Sequence, residues 1–208
     1  MSYPINFQDT KWIKLSVLLL LLLTHNIGFA SMPTQIGGFI LDTDIADYDK
    51  LIKTETIQPI RFNEALNEAE IHQIPGFKSG YIAYGTCDSL GKIARIKLKY
   101  QDSSKDFYEK LLETFEDRFG KPKWLGDSFH VVSIWKWSFE ESGTRVDLYL
   151  QHNLSKKDEK VGNSVKMTML NLVQDELDCF EKKNPSFRKS KELKVGDKPV
   201  TWEDLLPK

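Results

Sequence analysis

From residue 92 to residue 100 the chain alternates. Ala94, Ile96, Leu98 and Tyr100 fall in one phase, and Arg95, Lys97 and Lys99 in the other. A period of two sends each set to its own face of a strand. One apolar face and one wet face is the pattern of an antiparallel sheet with a covered side. Upstream, residues 59–62, 69–74 and 81–87 read as further strands, broken at Pro75-Gly76 and turned through residues 88–91.

The period then changes. Phe107, Tyr108, Leu111, Leu112, Phe115 and Phe119 recur at the three- and four-residue steps of one helix face. Ser103 or Ser104 stands where an N-cap belongs, Gly120 closes the run, and Pro122 prevents continuation. A second group of strands follows. Residues 131–140 place Trp135, Trp137 and Phe139 in one phase, and the turn at residues 141–144 leads to residues 145–151, with Val146, Leu148 and Leu150 in phase. Residues 164–172 carry Val165, Met167 and Met169. Two short helices complete the picture. One starts after Asp42 or Asp44 and carries Ile45, Tyr48, Leu51 and Ile52; the other covers residues 174–182. The expected class is α+β: an antiparallel β-sheet packed by one long amphipathic helix, with short N- and C-terminal helices. The strand groups on either side of the long helix share a loose order and no residue repeat.

The N-terminal apolar run has another meaning. Residues 15–23, roughly 9 residues, follow Lys11 and Lys14 and precede the small residues Gly28 and Ala30. A spanning helix needs about 20 residues. The run therefore reads as a signal peptide cleaved after Ala30, and residues 31–182 as a single α+β domain. Residues 183–208, basic and poor in apolar side chains, read as a flexible tail. No Cys follows the apolar run to carry a lipid, and no second long apolar run exists, so no stable membrane span is expected after cleavage. The expected location is periplasmic or secreted, in a soluble form.

Composition adds limits. Hydrophobic residues at 40% suffice for a core and argue against disorder. Basic and acidic side chains number 29 and 30, and the leader removes only Lys11, Lys14 and Asp9, so the mature chain is slightly acidic. That balance argues against nucleic acid as the partner. Cys87 and Cys179 are the only cysteines. A disulfide between them is preferred over two buried thiols, because free thiols are a liability in an oxidising compartment.

Candidate chemistry is sparse. Asp42, Asp44, Asp47 and Asp49 form an acidic run, but Ala46 stands where a calcium loop needs an oxygen ligand, so a capped helix is preferred. His72, His130 and His152 have no ligand spacing to one another or to a Cys. No nucleophile motif is present, and no catalytic residue, metal ligand or cofactor is assigned. Trp135, Trp137 and Phe139 are a candidate binding platform for a sugar or peptide, with core packing under the long helix as the preferred reading. Arg95, Lys97 and Lys99 are a candidate basic face for an acidic partner, with a solvated sheet face as the preferred one. In the tail, Trp202, Leu205 and Leu206 follow a diffuse basic stretch and offer a docking turn or a solubilising end. The glycosylation sequon at Asn153-Leu154-Ser155 matters only outside a bacterial host.

The segments GGFILDTDIADY, IPGFKSGYIAYGTC, RIKLKY, FYEKLLETFEDRFGKP, FHVVSIWKWSF and LQHN resemble a family of uncharacterised exported proteins of anaerobic bacteria. The resemblance spans residues 36–178. It implies an exported bacterial context and assigns no site. The leading expectation is a non-catalytic periplasmic interaction or ligand-binding domain, acting on an unknown protein or small molecule of the envelope. The rival is a small hydrolase-like envelope enzyme whose site is not visible in sequence.

Overall fold

The computed structural model describes residues 31–61, 63–126, 132–153 and 162–185. The predicted signal peptide, His130, residues 154–161 and nearly all of the basic tail lie outside these residues. All the described strands and helices belong to the compact unit Met32–Lys208.

A small hairpin, β1 (Gln35–Ile36) and β2 (Phe39–Ile40), comes first. The expected N-terminal helix is only a 3-10 turn, Ile45–Tyr48, with the Asp44 carboxylate accepting from the Ala46 N–H at 2.9 Å. Asp44 thus acts as a cap, and the chain then leaves the helical path to pair its backbone with residues of the sheet. The main sheet has eight strands. They are β3 (Gln58–Ile60), β4 (Asn63–Glu70), β5 (Phe77–Gly85), β6 (Ile93–Tyr100), β7 (Lys123–Trp124), β8 (Val132–Glu141), β9 (Thr144–Asn153) and β10 (Ser164–Met169). All neighbouring pairs are antiparallel. Helix α1 (Lys105–Phe119) follows β6, and helix α2 (Leu170–Lys183) follows β10.

The spatial order is β3-β4-β5-β6-β10-β9-β8-β7. It reads as two four-stranded meanders that meet at the β6–β10 seam, each ending in a helix. An antiparallel seam relates its two strands by a local twofold axis, so the second half repeats the first in topology. This explains the departure from the expected single long helix: among the described residues there are two, of 15 and 14 residues. Helix α2 begins at Leu170, inside the apolar run that reads as continuing strand, because the chain must turn off the sheet where its mate α1 does. The class is α+β, with both helices packed on the sheet.

Ser104 caps α1, its hydroxyl accepting from the Phe107 N–H at 3.2 Å, and Gly120 ends the helix with φ 78°. The helix lies over the second half of the sheet. Tyr108 stacks on His152 of β9 at 4.6 Å, Phe115 meets Trp137 of β8 edge-on at 5.7 Å, and Phe119 meets Phe139 at 5.5 Å. The aromatic phase of β8 therefore faces α1. Trp137 is buried, while Trp135 and Phe139 are half-buried. Trp137 Nε1–H also donates to the Gly120 carbonyl at 2.7 Å, holding the end of α1 to the sheet. Trp137→Phe should keep most of the apolar contact and remove this donor, costing about 1–2 kcal/mol in urea denaturation. An unchanged midpoint would show that the indole N–H adds nothing to the helix end.

Helix α2 packs on β4 and is tied to the loop after β5 in two ways. Glu176, fully buried, accepts backbone N–H bonds from Thr86 and Cys87 on Oε2, each at 2.7 Å, and from Asp88 at 2.8 Å and Ser89 on Oε1. Cys179, one helical turn further on, forms a disulfide with Cys87. Gly85 permits the approach: a Cβ there would come within 2.7 Å of the Glu176 carboxylate. Among the described residues, no helix is long and apolar enough to cross a membrane.

Candidate functional site

Both helices lie on one side of the sheet, and the polar phase of each strand makes the other side. Cross-strand register orders this open face into rows. One row runs Glu70, Tyr81, Lys97, Lys166, Tyr149, Lys136, Lys123, one residue from each of β4, β5, β6, β10, β9, β8 and β7. Lys97 and Lys166 are direct partners across the seam. Directly opposed like charges destabilise a sheet, and both lysines are only half-exposed.

The twofold arrangement passes through this pair. It makes Lys97 the counterpart of Lys166 and Tyr81 the counterpart of Tyr149. Two cavities open here, and they too are counterparts. The first, of about 430 Å³, is lined by Gln58, Glu68, Glu70, Tyr81, Ala83, Arg95, Lys97 and Lys166. The second, of about 300 Å³, is lined by Leu125, Ile134, Tyr149, Gln151, Ser164, Lys166 and Lys97. The two lysines belong to both.

Two acids of this face hold close partners away from the seam, and Glu68 accepts from Gln58 Nε2 at 3.5 Å. Asp147 accepts from Lys136 Nζ at 2.7 Å, from Ser138 at 2.7 Å and from the Tyr149 hydroxyl at 3.1 Å. Glu70 pairs with Lys53 at 2.9 Å. Arg95 Nε donates to Thr168 Oγ1 at 3.3 Å. Lys166 sits over the Tyr149 ring, 4.0 Å from its centroid. Lys97 has no hydrogen-bond or ion-pair partner among the described residues. Burial lowers the pKa of all three central cations. Lys99 and Arg95 lower that of Lys97 further, and Arg95 and Lys97 that of Lys166; Glu68 opposes the shift at Lys97 and Arg95, and Asp147 opposes it at Lys166.

No protein-family model, curated protein or solved structure matches this chain. The site therefore has to be read from its own chemistry.

Of the residues singled out in sequence, Arg95, Lys97 and Lys99 lie together on the open face, and Arg95 and Lys97 line the cavities. Trp135, Trp137 and Phe139 lie on the opposite side, under α1. Among the described residues no group of His, Cys, Asp and Glu is placed to hold a metal ion. His152 is buried, with Nδ1 2.6 Å from Asn163 Oδ1, and Asn163 in turn donates to the Asp102 and Ser104 carbonyls ahead of α1. That network joins β9 to the start of the helix.

Sequence reading missed Lys166, Tyr81 and Tyr149. Each lies in the open-face phase of its own strand, with nothing local to connect it to Lys97. The available signal was the phase of Lys166, opposite to that of Val165 and Met167.

Proposed function

We propose that this chain is an exported, non-catalytic binding domain and that its open sheet face takes an anionic ligand at Lys97 and Lys166. One observation carries the reading: Lys97 and Lys166, both half-buried, are register partners across the seam between two cavities, and among the described residues no carboxylate forms an ion pair with Lys97. Such a cluster is costly in the free protein and is relieved by a bound anion, which is how charge strain marks functional sites. Phosphate and carboxylate groups both suit two lysines acting as point charges. The disulfide and the N-terminal leader support an exported setting, as does the resemblance to exported bacterial proteins.

The experiment is a titration of the mature chain with inorganic phosphate and with citrate, followed by amide NMR. Shifts should centre on β6 and β10 and disappear in Lys97→Gln/Lys166→Gln. The same double variant should be more stable than the wild type without ligand. Shifts that survive the double variant, or no shift at all, would overturn the reading.

A pH dependence follows with a definite sign. Both lysines bind protons less readily folded than unfolded, so in the window below the ordinary lysine value of 10.5 the unfolded chain holds more protons. Stability then rises with pH across that window. The stability advantage of the double variant should shrink as pH approaches 10.5, where the wild-type penalty is gone. Arg95, Lys99, Lys136, Glu68, Glu70, Asp147, Tyr81 and Tyr149 surround the pair in both proteins, so the difference isolates the two lysines. A gap that widens with pH would contradict the repulsion.

A further inference from the structure

The centre of the face is symmetric and its flanks are not. Glu68 on β4 and Ile134 on β8 hold equivalent positions about the Lys97–Lys166 pair, each two residues from the row residue of its strand. Gln58 lies opposite Glu68, and Leu125 lies beside Ile134, its N–H donating to the Ile134 carbonyl at 2.8 Å. At these flank positions one cavity presents a carboxylate and an amide and its counterpart two aliphatic side chains, while Tyr81 and Tyr149 line the two alike. Leu125 is 40% exposed and Ile134 half-buried, so this flank presents adjoining aliphatic surface at the cavity.

Resting on the anion-binding reading, we propose that the ligand is an amphiphilic anion. Its phosphate or carboxylate group sits between Lys97 and Lys166, and its apolar arm lies along Ile134 and Leu125. The Glu68 and Glu70 side repels a second negative group and accepts from hydroxyl or amine donors, so the ligand has one orientation. β10 and β7 are three strand spacings apart, roughly 14 Å. An alkyl chain of moderate length spans that interval, and the flat apolar strip holds it against the sheet.

The probes are inorganic phosphate, octyl phosphate below its micelle-forming concentration, and phosphatidylglycerol vesicles. Octyl phosphate should bind at least about tenfold tighter than inorganic phosphate, since each buried methylene adds to affinity. In Leu125→Ser/Ile134→Ser that advantage should fall to about twofold or less, with a retained amide NMR spectrum as the control for an intact fold. Phosphate binding with no gain from the octyl chain would overturn this inference and leave the anion site standing. Loss of phosphate and octyl phosphate binding together would overturn both. Binding to vesicles alone would place the ligand class in a membrane surface and overturn the free amphiphile.

Discussion

Glu176→Ala should lower the unfolding free energy by about 3 kcal/mol in urea denaturation. The carboxylate gathers four backbone N–H groups of one loop. Without it those donors lose their acceptor, and each donor left inside costs about 1–3 kcal/mol. The loop is partly exposed, so some of its N–H groups reach water and the penalties do not simply sum. Glu176→Gln should be nearly as harmful although it preserves shape. An amide offers one acceptor oxygen and turns its NH₂ donor toward other donors. If Gln restored full stability, the carboxylate charge and its second acceptor oxygen would be unnecessary for holding the loop.

Cys87→Ser/Cys179→Ser should cost about 4 kcal/mol, from the closure entropy of a long loop. The two cysteines are 92 residues apart, so the bond restricts a large part of the unfolded chain. The effect acts on the unfolded state, whereas that of Glu176 acts on the folded one. The two still share a loop and a helix face. Losing either lets the loop lift from α2, after which the other has less to hold. A double-mutant cycle should therefore show coupling above about 0.5 kcal/mol, with the combined loss smaller than the sum. Additive losses would show that loop and helix stay docked through the β4–α2 packing. Thermal unfolding with and without reductant gives an independent measure of the same bond.

The lysine pair presents the opposite case. Glu176 strengthens the fold, whereas in the proposed reading Lys97 and Lys166 weaken it until an anion binds. Both follow from one rule: a buried charge is favourable when its partners are built in and unfavourable when they are not. A fold that retains an unfavourable pair at the junction of two cavities is suited to binding.

Local periodicity was enough to read most of the strands and the first helix. The two-residue alternation of β6, the three- and four-residue steps of α1 and the stops at Gly120 and Pro122 are short-range facts, each decided by which face must be dry. The phase of Trp135, Trp137 and Phe139 was equally clear, and its apolar area already favoured the core. The α+β class follows from those elements together. Near-neutral charge, an apolar N-terminal run and the cysteine count are likewise properties of the chain alone.

Tertiary structure decided everything that depends on partners. Periodicity tells a strand which side chains share a face and says nothing about which strand lies beside it. That β6 pairs with β10, with Lys97 opposite Lys166, required the return of the second meander to the centre of the sheet. The same return made α2 a full helix starting at Leu170 and brought Glu176 to a loop nearly ninety residues away in sequence. The candidate site exists only at that seam, where backbone pairing brings two lysines of different strands together.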